Sequence, residues 1–145
     1  MKNFIIFSSF LFCFNLIAQD KQDNIWLFGH EPNRPVDYFG GSMIDFNTSP
    51  PSINYFNIFT RIIDYSSICD ENGNLLFYTN SCALYDQNHN YIEGSGNLNP
   101  GPVSDDYCHS SLGAYPSKSS SIILKDFNDL NYILIHLGIT YNTKL

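Results

Sequence analysis

Short apolar runs recur along this chain, separated by clusters of Asn, Asp, Gly, Pro and Ser. Beyond the first twenty residues, no window places apolar residues at i, i+3, i+4 and i+7. The pattern therefore predicts strands joined by turns. Asn24–Phe28 (NIWLF) reads as a first strand and Met43–Asn47 (MIDFN) as a second, with a Pro- and Gly-rich loop between them. Thr48–Ser52 (TSPPS) interrupts, because a proline cannot donate to a ladder. Ile53–Phe59 is apolar enough to pair loosely.

The clearest organisation spans Ile63 to Gly94. Ile63–Cys69, Asn74–Asn80, Cys82–Asp86 and Tyr91–Gly94 read as four strands of an antiparallel meander. Ser95–Ser119 reads as a long irregular segment, and loops of that length are often functional. Ser121–Lys125 and Asn131–Ile139 close the chain as a hairpin through Asp126–Leu130. The fold class is all-β.

The connection Asp70-Glu71-Asn72-Gly73-Asn74 invites two readings. Its carboxylates and amides suggest a calcium loop, yet its Asn-Gly is a strong hairpin signal because both residues tolerate positive φ. A helix–loop–helix calcium site also needs a bidentate glutamate at its twelfth position. That position here is Ser81, and the flanks are strands. The same D-x-N-x-N pattern returns at Asp86-Gln87-Asn88-His89-Asn90. Both segments read as tight turns, with His89 standing where the first has Gly73.

The N-terminus follows a different pattern. Lys2 precedes an apolar run from Phe4 to Ile17, and Ala18 supplies a small residue for cleavage. Residues 1–18 read as a secretory signal peptide, and the run is short for a bilayer span. Residues 19–145 then form one β-rich domain, with no further membrane span. Loss of Lys2 leaves six basic against fourteen acidic residues. So acidic a chain cannot neutralise many phosphates, which argues against nucleic-acid binding. Aromatic residues make up 16 % of the sequence and charged residues 14 %, a balance suited to pleated, half-buried surfaces.

Export exposes Cys69, Cys82 and Cys108 to an oxidising environment, where a disulfide is expected. Cys82 and Cys108 both lie near loops and are the expected pair. Cys69 lies in a strand pattern and is expected to be a buried apolar thiol. Spacing does not determine connectivity, and no short paired cysteine spacing favours zinc. No metal or cofactor is expected.

The densest polar cluster is Asp105, Asp106, Tyr107 and His109, beside Cys108. With Tyr115 it forms the candidate ligand-binding set. The plainer account is a solvated loop pinned by a disulfide. Tyr38, Phe39, Tyr107 and Tyr115 all fall in predicted loops, where aromatic faces hold sugars or peptides, or else plug the ends of a β-structure. His30 and His136 are scattered, and no G-x-S-x-G elbow accompanies them. No catalytic residue is assigned.

Several of these segments recur together elsewhere. Trp26-Leu27-Phe28-Gly29 is followed by Cys69…Gly73-Asn74-Leu75-Leu76-Phe77-Tyr78-Thr79, by Leu98-Asn99-Pro100-Gly101, by Asp105…Cys108, and by Tyr132…His136. In this order they resemble the N-terminal part of large secreted proteins of gliding-type bacteria, which are propeller-like and often end in a type IX secretion sorting domain. The resemblance implies one to two blades of a partial β-propeller, and a chain lacking the remaining blades. It supplies no active site. The expected function is an exported binding or adhesion module for extracellular polysaccharide or protein. An extracellular hydrolase and a non-functional fragment of a larger protein are the alternatives. Open strand edges are expected to pair with another chain.

Overall fold

The computed structural model describes residues 21–29, 40–56, 60–63, 65–109, 113–117, 120–126 and 131–141. The expected signal peptide, His30, Tyr38 and Phe39 lie outside these residues. The described chain is all-β apart from one short helix. Strands β1 (Ile25–Gly29), β2 (Gly41–Asp45) and β3 (Ser52–Phe56) form an antiparallel sheet in chain order. Strands β4 (Ser66–Cys69), β5 (Leu75–Thr79) and β6 (Leu84–Asp86) form a second, and β7 (Ser121–Lys125) and β8 (Tyr132–His136) a third. None of the sheets closes on itself.

Alternation in β1 explains the core. Ile25 and Leu27 point inward and are buried, while Trp26 and Phe28 point outward. The inward pair meets Ile62, Cys69, Leu75 and Tyr78, with Met43, Phe56, Tyr65 and Tyr85 around them. Cys69 is a free, buried thiol whose pKa is raised, chiefly by burial. The outward rings find neighbours too: Trp26 meets Phe46 edge-on at 5.0 Å and Phe28 meets Tyr65 at 5.7 Å.

Both Asn-rich connections are turns built on one plan. Asp70 Oδ1 accepts the backbone N–H groups of Asn72 and Asn74 at 2.8 and 2.9 Å, and Oδ2 accepts Asn74 Nδ2 at 3.0 Å. Asp86 treats Asn88 and Asn90 in the same way, at 2.8, 2.8 and 3.3 Å. Gly73 and His89 occupy matching positions with φ of 86° and 65°. Glycine is required at the first, because a Cβ would collide with the Asn47 side chain. Asn47 donates to Gly73 O at 2.8 Å and accepts from Asn24 at 2.9 Å, which ties the first sheet to the turn of the second. His89 stacks on Phe56 at 4.1 Å and shares a hydrogen bond with Tyr78 at 3.2 Å.

These turn bonds predict an acid limb of stability. The Asp70 carboxyl is held below its ordinary pKa mainly by the Asn74 side chain, and that of Asp86 mainly by the Asn90 backbone N–H. A folded-state pKa below the unfolded one stabilises above the unfolded value of about 4 and ceases to do so as pH falls through the lowered one. The denaturation midpoint should therefore decline below about pH 4. The Asp70→Asn/Asp86→Asn double variant should decline less steeply, and parallel curves would refute the assignment.

Two expectations need correction. The meander over residues 63–94 holds three strands, not four. Tyr91 makes only an isolated bridge to Tyr85. Ile92 N–H reaches Leu84 O, but Gly94 turns the chain at φ 80°. Ser95 Oγ then accepts the Leu84 N–H at 3.0 Å, so a side chain takes over where a ladder would continue. The segment 95–119 is also not wholly irregular: Pro102–Tyr107 is helix α1. Pro102 opens it, at a position where its missing N–H costs nothing.

The β7–β8 hairpin leaves an apolar face uncovered. Ile122 pairs with Ile135 and Leu124 with Ile133, and all four side chains are exposed. Ile123, from the opposite face, is buried, and its N–H binds Ser66 Oγ at 3.0 Å.

Candidate functional site

A buried polar turn joins β5 to β6. Thr79, Asn80 and Ser81 are essentially inaccessible, and Ser81 has φ 65°. Asn80 Oδ1 accepts the N–H groups of Cys82 and Ala83, each at 3.1 Å. Its Nδ2 lies within hydrogen-bonding distance of Thr60 Oγ1 at 2.9 Å, Gly113 O at 3.1 Å and Arg61 O at 3.3 Å. Thr60 Oγ1 also donates to Gly113 O at 2.7 Å. Three segments distant in sequence thus converge on one amide. Gly113 has φ 55°, a conformation that side chains rarely adopt.

The disulfide acts on the same region. Cys82 and Cys108 are bridged, with their Cα atoms 5.5 Å apart. The expected pairing is the one present. Cys82, Val103 and Tyr115 form a second core cluster, with Tyr107, Cys108 and Ile139 against it.

Above this cluster opens a cavity of about 290 Å³, lined by Arg61, Ile63, Tyr107, Ala114, Tyr115, Pro116 and Ser117. Its walls are mainly apolar. Ile63 and Pro116 are exposed at its edge, while Ala114 and Tyr115 are buried. Arg61 is the single charged residue of the lining. Its Nε is buried and has no hydrogen-bond acceptor among the described residues.

The expected site residues separate into two groups. Tyr107 and Tyr115 line the cavity. Asp105, Asp106 and His109 do not. Asp105 Oδ1 lies 3.5 Å from His109 Nδ1, one helical turn away, and both side chains are exposed. Asp106 accepts the Tyr141 hydroxyl at 2.6 Å. That bond pushes the Tyr141 pKa up to about 12, because an ionised phenol could no longer donate to the carboxylate. Tyr115 is not an exposed loop aromatic. It is 2 % accessible, and its hydroxyl accepts the Ile139 N–H at 2.7 Å. Its ring packs with Cys82 and Val103 in the second core cluster.

Arg61 and Asn80 do not stand out in the sequence. Arg61 lies between Thr60 and Ile62 in no motif, and Asn80 reads as one more turn former at a strand end.

A second recess of about 350 Å³ lies between the two Asn-rich turns, lined in part by Asp45, Asn47, Asn74 and His89. Asn47, Asn74 and His89 are already hydrogen-bonded within the protein. Among the described residues, no cluster of three or more His, Cys, Asp or Glu is placed to hold a metal. No described helix is long and apolar enough to cross a membrane. No family model, curated protein or solved structure matches this chain.

Proposed function

We propose that the chain is an exported binding module that takes a peptide segment of an extracellular partner into the cavity beside α1. The observation that carries this reading is the cavity's composition. Ile63, Ala114, Pro116 and the two tyrosine rings give it apolar walls, with few polar groups among them. A volume of about 290 Å³ is at the small end for ligand sites and suits one or two side chains. A saccharide needs several converging hydrogen-bonding groups, and the Tyr115 hydroxyl is already committed to Ile139. A peptide is therefore favoured over a polysaccharide. Export is supported by the leader pattern of residues 1–18 and by the oxidised cysteine pair. The likeness of Trp26–Gly29 and Gly73–Thr79 to secreted propeller-like proteins of gliding-type bacteria supports a setting at the cell surface.

The test is selection from a displayed random peptide library by the mature protein. Peptides rich in apolar residues should be enriched. Their binding should fall at least about tenfold in Ile63→Ser, which strips an exposed wall without opening the core. Failure to enrich any peptide would overturn the proposal, as would undiminished binding by Ile63→Ser.

A further inference from the structure

We infer that the cavity accepts a ligand carboxylate on the Arg61 guanidinium, so that the bound peptide presents an acid next to its apolar anchor. This rests on the peptide-binding reading above and adds the chemistry of the anchor.

The argument begins with an imbalance. Acidic residues outnumber Lys and Arg fourteen to seven in this chain, so carboxylates are not scarce. Those on α1, the helix that supplies Tyr107 to the cavity, are nevertheless turned to other partners. Asp105 faces His109, and Asp106 holds Tyr141. Elsewhere Glu71 pairs with Lys125 at 3.4 Å. The Arg61 Nε has no acceptor among the described residues. A buried donor without an acceptor is destabilising, and more so when it is charged. Such a cost is usually removed by local rearrangement. Here the backbone is held in place instead: Arg61 O and its neighbour Thr60 are both bound to Asn80, which is itself buried.

The guanidinium also selects the partner. Its Nε–H and one Nη–H point the same way and match the two oxygens of a planar carboxylate. The surrounding walls are apolar, which strengthens a single ion pair and penalises a second unpaired charge. A carboxylate attached to an apolar body fits both conditions. Nε is sealed from solvent, so the ligand meets Arg61 at the part of the side chain that lines the cavity.

Within a peptide the acid has two sources, the C-terminus and an Asp or Glu side chain. The probes are synthetic peptides from the library selection above, each made with a free or an amidated C-terminus and with Glu→Gln or Asp→Asn at its acidic positions. Binding to the mature, oxidised protein is measured by calorimetry. One of the two neutralisations should weaken binding at least about tenfold, and the one that does so identifies the source. Arg61→Met should abolish that difference while retaining the apolar preference. Arg61→Lys should restore only part of it, since an ammonium lacks the fork. Equal binding of acid and neutral peptides by the wild type would overturn the inference and leave the peptide site standing. A preference for the acid that survives in Arg61→Met would overturn it as well. The two-dimensional NMR spectrum of each variant verifies that the fold persists, and Ser117→Ala provides a second, uncharged change in the lining that should leave the preference intact.

Discussion

Replacing Cys82 and Cys108 together by alanine should lower stability by about 3.5 kcal/mol, from the entropy released in a loop of this size. The two cysteines are 26 residues apart, and the enclosed segment contains α1 and the long connection leading to it. The enclosed segment also contains β6, which is paired with β5, but beyond Ser95 it is held by six helical residues, the Asn99 bond to Ser81 O and a few buried side chains. An isolated helix so short is not stable in water. The loss should therefore concentrate there: amides of Val103–Cys108 should exchange faster than those of β1 and β5. Changing both cysteines avoids an odd thiol that could pair with Cys69. The checks are guanidinium denaturation and hydrogen exchange. An unchanged midpoint with unchanged exchange would mean that the bridge contributes nothing. Peptide binding should fall in the same variant, because Tyr107 reaches the cavity from α1.

Asn80→Ala should cost about 3–5 kcal/mol, beyond the usual range for a single change at the surface. Alanine would strand the N–H groups of Cys82 and Ala83, and the acceptors at Thr60, Arg61 and Gly113 would lose a donor. All of this lies in a nearly inaccessible turn where water cannot substitute. Asn80→Asp has the same shape and isolates the donor role. It retains the acceptor for Cys82 and Ala83 but sets a carboxylate against three oxygens. It should be at least as damaging as alanine at neutral pH. Acidification should recover part of the loss, since burial raises the folded-state pKa of the new carboxyl and a protonated acid is again a donor. Thermal denaturation at pH 7 and pH 4 tests both points. If Asn80→Asp were as stable as the wild type at pH 7, the amide would not be the hub described.

The two predictions bear on one region because the cavity is held at both ends. Asn80 binds Arg61 and Gly113 by their backbones. The disulfide holds α1, and with it Tyr107, against the turn that follows Asn80. Binding at the proposed site should therefore be sensitive to either change, even though none of the three residues lines the cavity.

Much of this was legible from local pattern. Ser121–Lys125 is a strand with the predicted limits, and the Asp70 and Asp86 turns form because Asp, Asn and Gly act on backbone groups only a few residues away. Such interactions need no tertiary context. The pairing of Cys82 with Cys108 was also within reach, given the expectation of export and one cysteine lying inside a strand. The missing fourth strand was a matter of competition: Tyr91–Gly94 has strand-forming residues, but the Ser95 hydroxyl satisfies Leu84 first. Helix α1 escaped because six residues are too few to display a 3.6 period. Only Pro102 at its start was a visible signal.

The site divides differently. Local physics, working over two to five residues, specified strands, turns and a buried thiol. Tertiary structure alone decided that Tyr115 is core, that Asp105, Asp106 and His109 do not line the cavity, and that Arg61 lines it with a buried Nε lacking an acceptor among the described residues. Whether a charge is paired depends on which distant segments pack beside it. In this fold the segments at 60–63, 79–83 and 113–117 meet at the Asn80 amide, at the Thr60–Gly113 hydrogen bond and where Cys82 packs with Tyr115, and no periodicity in the sequence records that meeting.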